Sequence, residues 1–200
     1  MKIKPLGNRI VVKPDEFQQT TASGIVIAGA TDTATDTGTV VAVGPEVSDI
    51  NPDDRILFVK DTGAEIQLDG EKYITMTLEE VVGTINSDLE PVQDVIVCSD
   101  PDFGDQQTQA GIIIKSNIDQ SQGITSRWMR VHKIGPKVDF VKPGQWLLVE
   151  YGRWTSEFTA DGIDTLHRVD PKGCMAVSDE KPDTLYYNSS TVTADKRTLA

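Results

Sequence analysis

Short apolar runs rich in Val and Ile recur along the chain, separated by turns of Gly, Pro, Asp and Asn. Runs of this kind, bounded by turn residues, are typical of β-strands. The pattern predicts strands over RIVV, TVVAV and RILFV in the first half of the chain, and over VIVC, MRVHKI and WLLVEY in the second. Helical periodicity is essentially absent, so the sequence predicts an all-β protein.

The same succession of strand-like segments occurs twice. The matched segments stand in the same order, and their offset grows from 86 residues to about 93 by drifting at the loops. Tandem duplication of one domain explains five matches in one order. The matched pairs are Pro5–Lys13 with Pro91–Ser99, Ser23–Gly29 with Ala110–Ser116, Gly38–Val47 with Trp128–Val138, Pro52–Val59 with Lys142–Gly152, and Thr77–Ile85 with Asp170–Ser178.

Each copy is long enough for one compact core, and closure into a small barrel removes the exposed edges of an open sheet. We therefore predict two tandem β-barrels, at residues 1–88 and 89–181, joined without a long flexible linker. Residues 182–200 form a polar tail. Its apolar residues, Leu185, Tyr186 and Tyr187, either dock on a neighbouring surface or belong to a frayed end.

One segment of the first copy departs from the strand pattern. Residues 16–38 are almost wholly small and polar, yet Ile25, Val26 and Ile27 stand together in the middle. Such composition is typical of a mobile loop, which would hold the triplet out for a partner. The second copy carries an apolar triplet at residues 112–114. A short buried strand is the alternative interpretation, better supported in the second copy, where residues 123–128 add apolar mass.

Composition and charge exclude several partners. The net charge is −12 and no basic stripe is present, so nucleic acid and anionic membranes are not expected to bind. No apolar run approaches the roughly 18 residues that a membrane-spanning helix needs. The N-terminal residues lack the cleavage site of a signal peptide, so we expect no export.

Candidate catalytic and metal sites are weak. Cys98, Cys174, His132 and His167 lack the close spacing of a zinc site, and both thiols are expected to be reduced and mostly buried. The sequence contains neither a nucleophile elbow nor a phosphate-binding Walker loop. We therefore expect no enzymatic activity, no cofactor and no bound metal.

Several motifs of the two copies point to one family. The first copy contains MKIKPLGNRIVVKP, SGIVIAG, GTVVAVGP, DDRILF and YITMTLEEVVGTI, and the second contains GIII, IGP, KPGQWLLVEYG and CMAV. On these motifs the first copy resembles GroES-type co-chaperonins over nearly its whole length, and the second copy resembles them more distantly. Together the two resemblances cover residues 1–181, and they imply two GroES-like barrels, each with a long mobile loop.

The resemblance implies a homo-oligomeric ring that caps the chamber of a GroEL-type chaperonin around an unfolded polypeptide. Any nucleotide chemistry then belongs to the chaperonin, and the location is cytoplasmic, in a bacterium or in the host of a phage. In this family, the aliphatic triplet of each mobile loop docks in an apolar groove of the chaperonin. Carried over by position, the contact residues are Gly24, Ile25, Val26, Ile27, Gly111, Ile112, Ile113 and Ile114.

Two features depart from the family pattern. Both triplets end in Ile, where the family more often has Leu, and residues 44–54 and 135–145 look too short for the hairpin that roofs many such rings.

The number of chains in the ring stays open: three or four chains close one ring, or seven chains each place one barrel in the ring and stack the second beyond it. The alternative function is a structural or interaction protein of this fold without chaperonin binding.

Overall fold

The computed structural model describes residues 3–15, 35–100, 106–107, 113–114, 125–182 and 186–188. Strands dominate these residues, with two short 3-10 turns at residues 78–80 and 171–173, so the all-β prediction is confirmed. The strands of the first half are β1 (Arg9–Pro14), β2 (Thr35–Val43), β3 (Arg55–Val59), β4 (Ala64–Leu68), β5 (Glu71–Thr77), β6 (Val81–Thr84) and β7 (Glu90–Pro91). Those of the second half are β8 (Ile96–Ser99), β9 (Gln106–Gln107), β10 (Ile113–Ile114), β11 (Thr125–Ile134), β12 (Trp146–Val149), β13 (Phe158–Ala160), β14 (Ile163–Val169), β15 (Cys174–Ser178) and β16 (Tyr186–Asn188).

The two halves have the same sheet topology. The strand order is β4-β5-β1-β2-β3-β6-β7 in the first sheet and β13-β14-β8-β11-β12-β15 in the second, so six strands correspond one to one. Neighbouring strands run antiparallel. Each sheet also has a register shift at an equivalent place, between β1 and β2 in the first sheet and between β8 and β11 in the second. The chain therefore folds as two tandem small β-barrels, as the sequence repeat predicts.

A glycine occupies the same crossing point in each barrel. The amide N–H of Gly44 donates to the carbonyl of Arg9, and that of Gly135 donates to the carbonyl of Val95, both at 2.8 Å. A Cβ atom at either glycine would lie only 2.3 or 2.4 Å from a backbone carbonyl oxygen of the segment that it crosses. The two chain segments pass too close for any side chain, which explains why VGP and IGP recur in the sequence.

The segments that follow these glycines contain turns and no strand. Residues 44–54 connect β2 to β3 and residues 135–145 connect β11 to β12, and all of them lie in the described part of the chain. The expectation that both are too short for a roofing hairpin is confirmed.

One of the two apolar cores extends across both barrels. Side chains of the first barrel pack in one cluster with those of the joining segment, residues 89–95, and with residues on β8, β13 and β14 of the second barrel. A separate core fills the second barrel. The side chains at the shared core that come from beyond the first barrel are Leu89, Val92, Val95, Val97, Phe158 and Leu166. Such continuous packing agrees with the prediction of a join without a flexible linker.

Strand β7 extends the first sheet with residues from the start of the second copy. Gly83 pairs with Pro91, and Thr84 with Glu90. Asp161, in the turn between β13 and β14, accepts a hydrogen bond at 2.7 Å from the backbone N–H of Leu89. Backbone pairing and one carboxylate thus fix the joining segment between the two barrels.

The Asp161 carboxylate makes this junction sensitive to acid. Burial raises its pKa, but the Leu89 N–H, Lys133 and His132 outweigh burial and lower the pKa from 3.8 to about 2. A lowered pKa stabilises the fold above about pH 4, and this contribution disappears as the pH falls through 2. We expect Asp161→Asn to remove about 2 kcal/mol of that pH dependence, measured as the free energy of unfolding in urea between pH 5 and 2. Parallel pH profiles for the two proteins would contradict this role.

The two cysteines differ in exposure. Cys98 is fully buried, whereas Cys174 is only half-buried, so the expectation of burial holds less well for Cys174; neither forms a disulfide. Cys174 lies on β15, an edge strand of its sheet that pairs only with β12 among the residues that the structure describes. The equivalent residue of the first barrel, Val81, is fully buried beneath the joining segment.

We expect Cys174 to react slowly with thiol reagents and Cys98 not to react in the native protein. Burial and the charge of Asp170 raise the pKa of Cys174 to about 11, and burial raises the pKa of Cys98 well above its usual value. Because the thiolate is the nucleophile, labelling of Cys174 should accelerate about tenfold per pH unit up to about pH 11. Mass spectrometry of labelled peptides measures this, and rapid labelling of Cys98 at neutral pH would contradict it.

The tail and the tryptophans stabilise the second barrel. Strand β16 pairs with Thr125–Arg127 of β11, so this part of the tail docks on its own chain. Trp128 and Trp146 are buried, as expected of core residues, and Trp154 packs against the second core. Within the described residues, no helix is long and apolar enough to cross a membrane.

Candidate functional site

The structure describes only part of the predicted loop sites. Gly24, Ile25, Val26 and Ile27 lie outside the described residues, as do Gly111 and Ile112. The backbones of Ile113 and Ile114 form β10 and pair with Gln107 and Gln106 of β9. This two-stranded sheet belongs to neither barrel sheet, so the second triplet contributes to a strand outside the barrels.

A carboxylate clamp closes the base of the first loop. The backbone N–H of Asp15 donates to the carbonyl of Thr37 at 3.0 Å, across the two strands that enter and leave the loop. The Asp15 carboxylate accepts hydrogen bonds from the Thr37 hydroxyl at 2.6 Å and from the Arg55 guanidinium at 2.7 Å. Burial raises the pKa of Asp15, but these two hydrogen bonds and the charge of Arg55 outweigh it, so the pKa lies below 3.8. The barrel thus holds the two ends of the loop close together.

A second Asp–Arg pair stands at the base of the second loop, but there it is buried. Arg127 Nη1 lies 3.2 Å from Asp100 Oδ2, and the Arg127 side chain is only 4% exposed. The Arg55 side chain of the first clamp, by comparison, is 56% exposed. The same pair of residue types therefore closes both loop bases in different dielectric surroundings.

His167 and Trp154 complete the buried cluster around Arg127. His167 Nδ1 lies 2.7 Å from the carbonyl oxygen of Thr155, so Nδ1 carries the hydrogen and donates it. His167 Nε2 lies 3.4 Å from Arg127 Nη2 and 3.3 Å from Asp100 Oδ2. The Trp154 ring lies against the guanidinium, 4.4 Å from its central carbon, which adds a cation–π contact.

The cluster is arranged for a guanidinium rather than for a metal ion. Asp100, Glu157 and His167 each bring one possible ligand atom within 4.8 Å of the others. Arg127 lies 3.2 Å from the Asp100 carboxylate and 3.4 Å from His167 Nε2, so a positive charge already stands beside two of the three possible ligands. A divalent cation would have to bind against that positive charge.

The first barrel has a groove at the corresponding place. Asp36 stands where Arg127 stands in the second barrel, and Ile74 stands where His167 stands, as their strand pairings show. Both line an open groove of about 1100 Å³ beside the first loop base, in the described part of the chain. Partial burial raises the pKa of Asp36, although Lys60 opposes this. The base of the first loop is therefore open and acidic, and that of the second is filled.

Sequence reasoning missed this cluster. The sequence SRW at residues 126–128 was interpreted only as part of an apolar segment. Its arginine, between the start of a strand and a tryptophan, was the one local signal of a buried charge. Asp100 and His167 lie 67 residues apart in the sequence, and no local spacing connects them. Only the antiparallel pairing of β8 with β11 and β14 brings the three residues together.

Comparison with known proteins identifies the family. Residues 2–85 match the family model described as Chaperonin 10 Kd subunit. The Co-chaperonin GroES of Sulfurovum sp. (strain NBC37-1) is 44% identical over 85 residues, which are 42% of this chain and 99% of that protein. The chain belongs to the GroES co-chaperonin family. The Co-chaperonin GroES proteins of Campylobacter lari (strain RM2100) and Campylobacter jejuni subsp. doylei (strain 269.97) are 42% and 41% identical, over the same shares of each chain.

The match to the GroES family covers one barrel's length of a two-barrel chain. The family model ends at residue 85, shortly before the joining segment, and the second barrel repeats the first in strand order. Co-chaperonins of this family are not catalytic enzymes, in line with the sequence expectation. The chain is therefore a tandem form of the GroES fold.

Proposed function

We propose that this protein is a co-chaperonin that caps the chamber of a GroEL-type chaperonin and assists ATP-dependent folding of the enclosed polypeptide. The observation that carries the proposal is the 44% identity to a Co-chaperonin GroES over 99% of that protein's length. The proposed setting is the cytoplasm of a bacterium or of a phage's host. ATP is hydrolysed by the chaperonin, and this chain supplies the lid.

The proposed contact is the loop triplet Ile25, Val26 and Ile27, preceded by Gly24. Ordering a free loop costs about 1–2 kcal/mol per fixed residue, which keeps each contact weak. Burying an aliphatic side chain returns about 1.5–3 kcal/mol, which is enough to bind without permanent attachment. Several loops on one ring then multiply weak contacts into a secure cap. The clamp at Asp15 holds both ends of the loop at the barrel surface, which keeps the triplet within reach of the chaperonin.

The second triplet is proposed as a further contact. Its residues are Ile112, Ile113 and Ile114, preceded by Gly111. The pairing of β10 with β9 orders part of this loop before binding, which lowers the entropic cost of docking. The two loops of one chain are therefore proposed to bind with different strengths.

The test is to mix purified protein with a GroEL-type chaperonin and follow complex formation by sedimentation. We expect a complex with ATP or ADP, no stable complex without nucleotide, and increased refolding of a client that the chaperonin alone does not release folded. A ring that assembles but never binds chaperonin under any nucleotide condition would overturn the proposal. It would favour the alternative, a structural or interaction protein of the same fold.

A further inference from the structure

The two loop bases differ at a third position, that of the Trp154 ring. Trp154 pairs with Val169 of β14, and the residue of β5 equivalent to Val169 is Met76. The pairing of β4 with β5 puts Gly63 opposite Met76, so Gly63 stands where Trp154 stands. The first barrel therefore has no side chain where the second has an indole ring, and Gly63 is one of the residues that line the groove.

The absence of two large side chains leaves the groove of the first barrel open. The second loop base is filled by a guanidinium and an indole, and Asp36 and Gly63 stand in their places in the first barrel. The open space measures about 1100 Å³. Its apolar lining includes Phe58, which is buried, and Ile74, which packs against the first core.

Two carboxylates of this groove have no cationic partner. Of the five acidic residues that line it, three form ion pairs with Arg55, Lys72 and Lys13. In the part of the chain that the structure describes, Asp36 and Asp61 form no ion pair. Asp36 is half-buried, so its charge is partly removed from water without the partner that would offset the cost.

The two unpaired carboxylates also act on each other. Burial raises the pKa of Asp36, Lys60 lowers it and Asp61 raises it, so the charges of Asp36 and Asp61 are close enough to repel. A cation bound between them would relieve this repulsion. Residues 16–34, which connect the two strands beside the groove, contain no lysine or arginine, so the first loop does not supply that cation.

We propose that this groove binds the guanidinium of an arginine on the chaperonin to which the first loop docks. The second barrel holds a guanidinium at the equivalent place, against Asp100 and the Trp154 ring. In the first barrel, Asp36 and Asp61 bind the charge, and Ile74 contacts the aliphatic stem of the arginine side chain. The second loop base already contains its own arginine, so only the first receives one from another molecule.

The assignment of the arginine to the chaperonin rests on the proposed function. Ile27, the last residue of the proposed contact triplet, stands nine residues before Asp36 in the sequence. Nine extended residues span at most about 30 Å, so a chaperonin bound to the triplet lies within that distance of the groove. The charge pair then fixes the orientation of the first barrel on the chaperonin, which the loop alone does not fix.

The first measurement tests the groove in the absence of chaperonin. The probes are acetyl-Gly-Arg-Gly-amide and the same peptide with neutral citrulline in place of arginine, at low ionic strength, where exposed charges are least screened. We expect the arginine peptide to shift the NMR signals of Gly63 and Ile74 saturably and to leave the indole signal of Trp154 unchanged. The citrulline peptide should produce no saturable shift, because it lacks the positive charge.

Removal of either unpaired carboxylate should weaken this binding. Asp36→Asn keeps the size of the side chain and removes its charge, so the affinity for the arginine peptide should fall about tenfold. Asp61→Asn should have a smaller effect, because Asp61 is exposed. Glu46→Gln removes the same charge from an exposed position of the first barrel outside the groove, and should leave the affinity unchanged. Equal shifts with both peptides, or equal affinities before and after Asp36→Asn, would overturn the proposal.

The second measurement identifies the partner. Co-sedimentation with chaperonin and ADP should show about tenfold weaker binding for Asp36→Asn, and still weaker binding for Asp36→Arg, which places a positive charge in the groove. Glu46→Gln should bind as the unaltered protein does. Chaperonin binding that neither Asp36 variant weakens would overturn this inference and leave the proposed function standing. Failure of the unaltered protein to bind chaperonin, by contrast, would overturn the proposed function as well.

Two other occupants of the groove are separate outcomes of the same tests. Residues 189–200 include Lys196 and Arg197. If removal of these twelve residues tightens binding of the arginine peptide, the tail of the chain is the occupant. If Asp36→Arg changes the mass of the native assembly in the absence of chaperonin, the occupant is a second copy of the chain. Either result would overturn the assignment to the chaperonin.

Discussion

Replacing Ile25 with Asp is expected to abolish capping while the free energy of unfolding changes by no more than about 0.5 kcal/mol. The substitution places a charge where the proposed contact needs an apolar side chain, and burying an unpaired charge is costly. The loss recurs in every chain of the ring, so avidity compounds it. Co-sedimentation with chaperonin and nucleotide measures capping, and urea unfolding measures stability.

Two further variants sharpen this test. Thr33→Asp adds the same charge to the same loop without removing an aliphatic side chain, and should leave capping largely intact. Ile113→Asp, in β10 of the second loop, should reduce capping less if the second barrel acts as a spacer and equally if both loops face the chaperonin. If Ile25→Asp unfolds the first barrel, the triplet belongs to a core and the loop contact does not exist.

The strands and their repetition were predictable because the signals are local. Short β-branched runs between turn residues specify strands, and each copy repeats them in order. The glycines at 44 and 135 are likewise readable, since each is followed by proline and stands at the same place in both copies. Steric contact with a carbonyl oxygen is the cause in both barrels. The strands, their repetition and the two glycines could thus be predicted, because each depends on residues that are close together in the sequence.

Burial at the barrel edges was not predictable in the same way. The segments VVGT of β6 and CMAVS of β15 both read as apolar strands, yet one is buried and the other exposed. The difference depends on whether residues from another part of the chain cover the edge. Cys174 illustrates this: it is half-buried on a strand that pairs on one side only within the described part of the chain, and its neighbours in the sequence do not indicate this.

The buried cluster at the second loop base was missed for a related reason. Arginine is rarely found buried, so its place between Ser126 and Trp128 suggests an exposed residue. Its partners come from β14 and from the chain after β8, far away in the sequence. Pairing with Asp100 and stacking on Trp154 offset the cost of removing the guanidinium from water.

Arg127→Met is therefore expected to destabilise the protein by about 3–5 kcal/mol, because it leaves the Asp100 carboxylate without its buried partner. The matched change at the first loop base, Arg55→Met, should cost no more than about 1 kcal/mol, since that ion pair is exposed to water. Urea unfolding of both variants measures the difference. Adding Asp100→Asn to Arg127→Met should recover part of the loss, because the unpaired charge is removed. Equal effects of Arg127→Met and Arg55→Met, or no recovery in the double variant, would show that the buried pair does not stabilise the second barrel.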